Sequence, residues 1–318
     1  MDQELEKFKT DIDLRAYAAA QNYQLDRKES WSGSAVMRHA NNDKIVIKRN
    51  AVDGHYVYFS VRDDADNGTI IDFAKRRLGL SLGAVRKELR TFMGQTPAVL
   101  APYPPLQRVA KDRIRVERAY ARMQPALSHP YLERERCIPR QILESGRFAG
   151  RVRIDDRGNA IFPHFDRDGL SGYEIKNHGF TGFATGGSKG LWTSHALDGD
   201  DRIAFCESSI DALSLAALAP DARTRYASIG GKPTPVQREL IRAAVVVMPQ
   251  ASTILAAMDA DAAGRELAEV IRDAVKLTGR SDLRFERQEP QNFKDWNDLL
   301  RARSKRRLPS HPEAPSVA

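Results

Sequence analysis

Residues 202–215 read RIAFCESSIDALSL and residues 252–264 read STILAAMDADAAG. Each begins with a short apolar run of strand length, closes on an acid, and passes into a helix-forming stretch. Glu207 directly follows the first run; Asp259 and Asp261 directly follow the second. The alternation continues around them, with further strands expected at Thr224–Ser228 and Asp282–Glu286. Helices are expected at Ile210–Leu218, Pro235–Val245 and Ala263–Leu277. Strand, helix, strand, helix implies an α/β fold with a parallel sheet, whose ligand edge lies at the carboxyl ends of its strands.

Both acidic groups then project from that one edge. Asp259 and Asp261, two apart in an extended segment or tight turn, can point the same way, and Asp211 lies one helical turn beyond Glu207. Gathered carboxylates repel, so a divalent cation is their natural neutraliser, and hard oxygen ligands favour Mg²⁺ or Mn²⁺. The plainer alternative makes these acids helix N-caps and dipole partners. It serves either cluster alone better than both together in one alternating unit.

The surroundings bound the rest. The chain has 318 residues, 42% hydrophobic and 29% charged, with a net charge of +8, which favours an anionic partner. Cys137 and Cys206 alone exclude a disulfide scaffold or a Cys-rich zinc module. The opening MDQELEK is unlike a secretory leader and no run has membrane-spanning length, so the expected location is the cytoplasm, away from membranes. Residues 1–95 form a first expected unit. In it a helix at Asp11–Gln21 precedes a hairpin of Asp43–Lys48 and His55–Arg62; Ile70–Arg77, capped by Thr69 and ended by Gly79, and Ser81–Met93 are helical. Residues 96–127 are expected to hold a Pro-rich linker, begun by GQTPAVLAPYPP at 94–105, and a basic helix within Arg108–Met123. That helix is either a solvated face or a phosphate contact. Residues 128–198 carry strands Ala160–Phe165 and Ser171–Lys176, residues 199–303 the alternating unit, and residues 304–318 a disordered tail.

The two acidic motifs resemble the Toprim domain shared by DnaG-type primases, topoisomerases and some nucleases. That family pairs a Glu after its first strand with an Asp-x-Asp after a later one. The resemblance implies a Rossmann-like parallel sheet in which Glu207, Asp259 and Asp261 are the catalytic acids and Glu207, Asp211, Asp259 and Asp261 hold metal. Ser208 stands where a Gly is common. The segment KDWND at 294–298 is similar to the ending of primase-like Toprim domains, which adds Asp295 and Asp298 to the implied metal set. Upstream, YLERER at 131–136, AIFPHFDRDG at 160–169 and TGGSKGLW at 185–192 look like the segment preceding Toprim in DnaG-related proteins of plasmids and conjugative elements. There basic residues hold template and nucleotide; the candidates here are Lys176, Lys189, Lys232 in the turn Gly230-Gly231-Lys232, and Lys294. Lys176, Lys189 and Lys232 each have the bland alternative of an ordinary strand, loop or turn lysine.

More weakly, residues 1–95 resemble the zinc-binding domain of such primases through GTIIDF at 68–73. They hold no cysteine, and His39 and His55 cannot supply four ligands, so no zinc is expected. An apolar core must serve instead, with Trp31, Val46, Tyr56, Tyr58 and Phe73 as candidates. The resemblance implies a nucleotidyltransferase that makes primers on single-stranded DNA of a mobile element from nucleoside triphosphates. A separate helicase or other replication or transfer protein would be its partner. The alternatives are a Toprim nuclease of element maintenance or phage defence, and a DNA-binding accessory protein with a vestigial site.

Overall fold

The structure, a computed structural model, describes residues 2–50, 53–61, 63, 66–94, 103, 106 and 110–307, which fall into two units, 1–110 and 111–318. Most of the proline-rich linker, Arg108 and the tail beyond 307 lie outside the described residues.

In the first unit, α1 (Gln3–Asp11) and α2 (Leu14–Ala20) start at Asp2 and Asp13, whose side chains accept backbone N–H groups. Five strands follow: β1 (Gln24–Trp31), β2 (Ser34–Arg38), β3 (Lys44–Arg49), β4 (Tyr56–Ser60) and β5 (Asn67–Thr69). They pair in sequence order, all antiparallel. Helices α3 (Ile70–Leu78) and α4 (Leu82–Gly94) complete the unit. Thr69 and Asp72 form the capping box of α3, and Gly79 ends it.

The expected hairpin is β3–β4, but the sheet is larger than the sequence reading. Polar β1 and its partner β2 were not foreseen, because an edge strand such as QLDRKESW carries little apolar signal. Tyr56, Tyr58 and Phe73 are buried as expected; Val46 and Trp31 are not. Ile45 and Ile47 take the core face of β3, so strand alternation turns Val46 to the other side. Trp31, at the end of β1, is 47% exposed. Phe73 sits at the centre, its ring edge-on to Tyr17, Tyr23 and Tyr58.

The second unit opens with α5 (Arg113–Ala121), shorter than the basic stretch that announced it. An antiparallel sheet ordered β10-β9-β8-β7-β6 follows, formed by β6 (Gln124–Pro125), β7 (Arg153–Ile154), β8 (Ala160–Asp166), β9 (Gly169–Asn177) and β10 (Phe180–Phe183). Between β6 and β7 lie a π-helical turn at Tyr131–Glu135 and α6 (Arg140–Glu144).

A second sheet is ordered β11-β13-β12-β14-β15. Its strands are β11 (Trp192–Thr193), β12 (Arg202–Cys206), β13 (Thr224–Ser228), β14 (Thr253–Ala257) and β15 (Arg284–Gln288); β11 is antiparallel and the others are parallel. The helices are α7 (Ser209–Leu218), α8 (Pro235–Val246), α9 (Ala262–Leu277) and α10 (Trp296–Arg307). Ala204, Cys206, Leu255 and Ala257 pack with α7 and Trp296 on one face. Ile203, Phe205, Ile254 and Ala256 pack with α8 and α9 on the other. Burial on both faces explains why these strands read as unbroken apolar runs. No described helix is long and apolar enough to cross a membrane.

Replacing Phe73 by Ala should lower the stability of the first unit by about 3–5 kcal/mol. Trp31→Ala should change it by no more than about 0.5 kcal/mol. Urea unfolding of the full chain followed by near-ultraviolet circular dichroism reads both, and equal effects would contradict this placement of the core.

Candidate active site

Register sets the geometry of the edge. Cys206 on β12 is paired with Ala257 on β14 and Ser228 on β13, so the three strands end level. The chain order switches sides at β12, which makes this edge the crevice of the sheet. Glu207 follows β12, and Asp259 follows β14 after one buried methionine.

Ser208 caps α7: its Oγ accepts the Asp211 N–H at 3.2 Å and donates to Asp211 Oδ2. The other Asp211 oxygen accepts the Asn297 N–H at 3.3 Å. Asp261 caps α9, accepting the Gly264 N–H at 2.9 Å, so the capping alternative holds for this residue whatever else it does. Only glycine fits at 264, because a Cβ there would stand 2.1 Å from the Asp259 carbonyl oxygen. The segment 294–298 is pinned beside both motifs. Ala260 donates to the Lys294 carbonyl at 2.8 Å, and Trp296 Nε1 donates to the Ala257 carbonyl at 3.0 Å. Asn297 Nδ2 reaches the Arg136 carbonyl at 2.8 Å and Ser214 Oγ at 3.0 Å.

Electrostatics records how close the acids are. Burial, then the charges of Asp211, Glu207, Asp295 and Asp261, pushes the Asp259 carboxyl up to about 9. Asp211 is raised to about 6 by burial and Asp295, against the pull of Ser208, Asn297 and Lys176. Asp295 is also raised, chiefly by burial. Asp259 Oδ1 is buried with no hydrogen-bond partner among the described residues. Asp298 stands apart: its carboxylate pairs with Arg301 at 3.2 Å, while its N–H is received by Asp295 at 2.6 Å. Among the described residues no three Asp, Glu, His or Cys side chains close around one point as a finished metal cage. The donors do fit a hard divalent cation in kind, being carboxylate oxygens that include the unpartnered Asp259 Oδ1. Cys206, directly before Glu207, has its thiol pushed well up by burial and then by Asp211 and Asp259, which suits a packing residue.

A basic wall faces the acids from the antiparallel sheet. Lys176 on β9 is buried, lies 3.5 Å from Glu174 Oε2, and bears on Asp211. Lys189 Nζ donates to the Gly230 carbonyl at 2.6 Å. His164 Nδ1 must be the donor to the Gly190 carbonyl at 2.8 Å, since a carbonyl only accepts; its Nε2 lies 3.5 Å from Glu174 Oε1. Burial alone would raise the Glu174 carboxyl, but Lys176, His164 and Lys189 hold it well below the carboxylate range. Lys232 and Lys294 are exposed beside the edge. Sequence reasoning missed Glu174; the signal was a carboxylate two residues before Lys176 in an apolar strand, on the same face.

Residues 204–300 match a family model described as Toprim-like, and residues 130–201 match one described as a protein of unknown function (DUF3991). The chain therefore carries a Toprim-like domain. It is 29% identical over 216 residues to the "65 kDa protein" of Zymomonas mobilis subsp. mobilis, covering 60% of this chain and 35% of that one. The chain thus spans about a third of that curated relative. Among solved structures, the primase fragment of the bacteriophage T7 primase-helicase protein has a TM-score of 0.39 at 20% identity, covering 54% of this chain and 69% of that one. A DNA primase domain from Pseudomonas aeruginosa has a TM-score of 0.32 at 18% identity, covering 48% and 49%.

Two outcomes follow from the geometry. The folded protein holds a proton on Asp259 up to about pH 9 that the unfolded chain, with an ordinary value of 3.8, releases. Its contribution to stability is therefore full below pH 4 and falls as pH rises towards 9. Without divalent cations, Asp259→Asn should flatten that fall and raise the melting temperature at pH 8, by roughly 2–4 °C per kcal/mol relieved. A variant less stable than the parent at pH 8 would refute this. Gly230→Ala should destabilise, because Gly230 has φ +69° and a Cβ would stand 2.2 Å from Glu174 Oε1. The loss should be at least about 1 kcal/mol by thermal unfolding, and smaller on a Glu174→Ala background.

Proposed function

We propose that this chain is a metal-dependent, primase-like nucleotidyltransferase that joins nucleotides on single-stranded DNA of a mobile element. One observation carries the reading: the charges of Glu207, Asp211, Asp261 and Asp295 all bear on buried Asp259, at the carboxyl edge of a Toprim-like domain, and Lys176 bears on Asp211 from the facing sheet.

Glu207, Asp259 and Asp261 are the catalytic acids in this reading and, with Asp211 and Asp295, the residues that would hold Mg²⁺ or Mn²⁺. Asp298, already paired with Arg301, stands at the margin of that set. When bound, such a cation supplies neutralisation of phosphate charge and eases ionisation of an attacking hydroxyl. The chain's own residues do the rest. Lys176 and Lys189 present positive charge to nucleotide phosphates, and Glu174 keeps Lys176 in place. Lys232 and Lys294 extend the same sign outward at the rim, where an incoming strand passes. Asn297 and Ser208 hold Asp211 still, and Trp296 locks the 294–298 segment to β14. Residues 111–198 supply the basic wall and residues 199–303 the acidic edge; a helicase or other replication protein is the natural partner.

The test incubates the full chain with single-stranded DNA, labelled nucleoside triphosphates and Mn²⁺, beside a supercoiled plasmid without nucleotides. Templated products of two or more nucleotides are expected, falling about 100-fold or more in Asp259→Ala. Lys176→Ala should raise the nucleotide concentration required, with partial rescue by Lys176→Arg. Plasmid cleavage without nucleotide incorporation would replace this reading by a nuclease. Strand binding with neither activity, surviving loss of the acids, would replace it by an accessory binding protein.

A further inference from the structure

The basic helix α5 is unused by the reading above. Arg115, Arg118 and Arg122, at i, i+3 and i+7 on the helix and its C-terminal cap residue, are all exposed. None of the three is in an ion pair among the described residues, whereas Arg113 of the same helix is held by Asp166. The Asp112 carboxylate accepts the Arg115 N–H at 2.9 Å as the helix cap, and exposed Glu117 is in no ion pair with these arginines among the described residues. The inner side of α5 is fixed by Val116, packed with Ile161, Tyr173 and Ala184. The arginines are therefore turned outward by the packing itself. They share an open surface strip with Asp112, Ile114 and Ala119, and Ile114 is 60% exposed there.

All of these residues belong to one helix and its caps, so the strip is an exposed helix face rather than a cavity in the fold. It encloses nothing on the far side and suits an extended polyanion better than a small molecule. From Arg115 to Arg122 the helix rises roughly 10 Å, long enough for an extended strand to set more than one phosphate against the arginines.

We propose that this face of α5 is a sequence-independent docking track for the phosphate backbone of single-stranded DNA, separate from the carboxylate edge. The choice of polyanion rests on the function proposed above; the track itself rests on the helix. Strand alternation on β9 sets the separation. Tyr173 and Ile175 face α5, while Glu174 and Lys176 face the acids. The track grips the strand behind the basic wall and touches no reacting group.

Fluorescence anisotropy of a labelled mixed-sequence single strand with the full chain, over a salt series without nucleotide or divalent cation, tests this. Single-stranded phosphate contacts contribute about 0.7 each to the slope of log K against log salt. The variant Arg115→Gln/Arg118→Gln/Arg122→Gln should lose about 2 from that slope and bind more weakly throughout. The corresponding triple Lys variant should keep the slope. In the transfer assay the Gln variant should require more DNA at an unchanged maximal rate. An unchanged slope, a loss equal in the Lys variant, or a parent chain that binds no strand overturns the track. A chain that transfers nucleotides yet ignores these arginines overturns the track alone. One that binds through them and transfers nothing overturns only the reaction.

Discussion

Like charges forced together at one sheet edge are the constraint around which the second unit is built. Asp259 and Asp211 are both buried; the Asp211 charge raises the affinity of Asp259 for a proton, and burial and Asp295 raise that of Asp211. Such a cluster opposes folding, and an unstrained chain would splay it apart. Here three independent devices prevent that: the Ser208 cap on α7, the close approach of Gly264 to the Asp259 carbonyl, and the docking of residues 294–298 through Trp296 and Asn297. The two apolar layers of the sheet hold the strand ends level beneath them.

The antiparallel sheet supplies the countercharge, and it does so through buried groups that would themselves be unfavourable alone. Lys176 is buried between Glu174 on its own strand and the acidic edge. Glu174 is in turn surrounded by Lys176, His164 and Lys189. Glu174 and Lys176 thus have opposite neighbours, and Lys176 bears on Asp211, whereas the charges that bear most on buried Asp259 are those of other acids. Rigidity follows. Gly230 closes the loop over Glu174 with φ +69°, where a Cβ would stand 2.2 Å from Glu174 Oε1.

Legibility in the sequence followed burial pattern. The parallel strands, buried on both faces, are bounded apolar runs, and the acids that close them stand out for that reason; β12 and β13 occur at the expected residues and β14 and β15 within two. In the first unit the signal fades where strands are polar. β1 announces nothing, and Val46 reads as core until the parity of Ile45 and Ile47 is known. Glu174 was invisible for a different reason. A buried carboxylate is an exception to ordinary composition, and its meaning depends on His164, Lys189 and Gly230, all distant in sequence. Pairwise charge two apart on a strand was the one local clue.

Burial alone does not rank the acids; satisfaction does. Asp211 and Asp259 are nearly equally hidden, yet both Asp211 oxygens are taken, one by the Asn297 N–H and one by the Ser208 hydroxyl. Asp259 keeps one buried oxygen with no hydrogen-bond partner among the described residues. Each Asp211 oxygen keeps a second lone pair, so these hydrogen bonds fix the orientation of the carboxylate without removing its capacity to meet a cation. A carboxylate with a buried empty oxygen has more coordination still to give. By this argument the serine at position 208, where a glycine is common in the resembling family, is no defect: its hydroxyl holds Asp211 in one orientation while the Asp211 charge bears on Asp259.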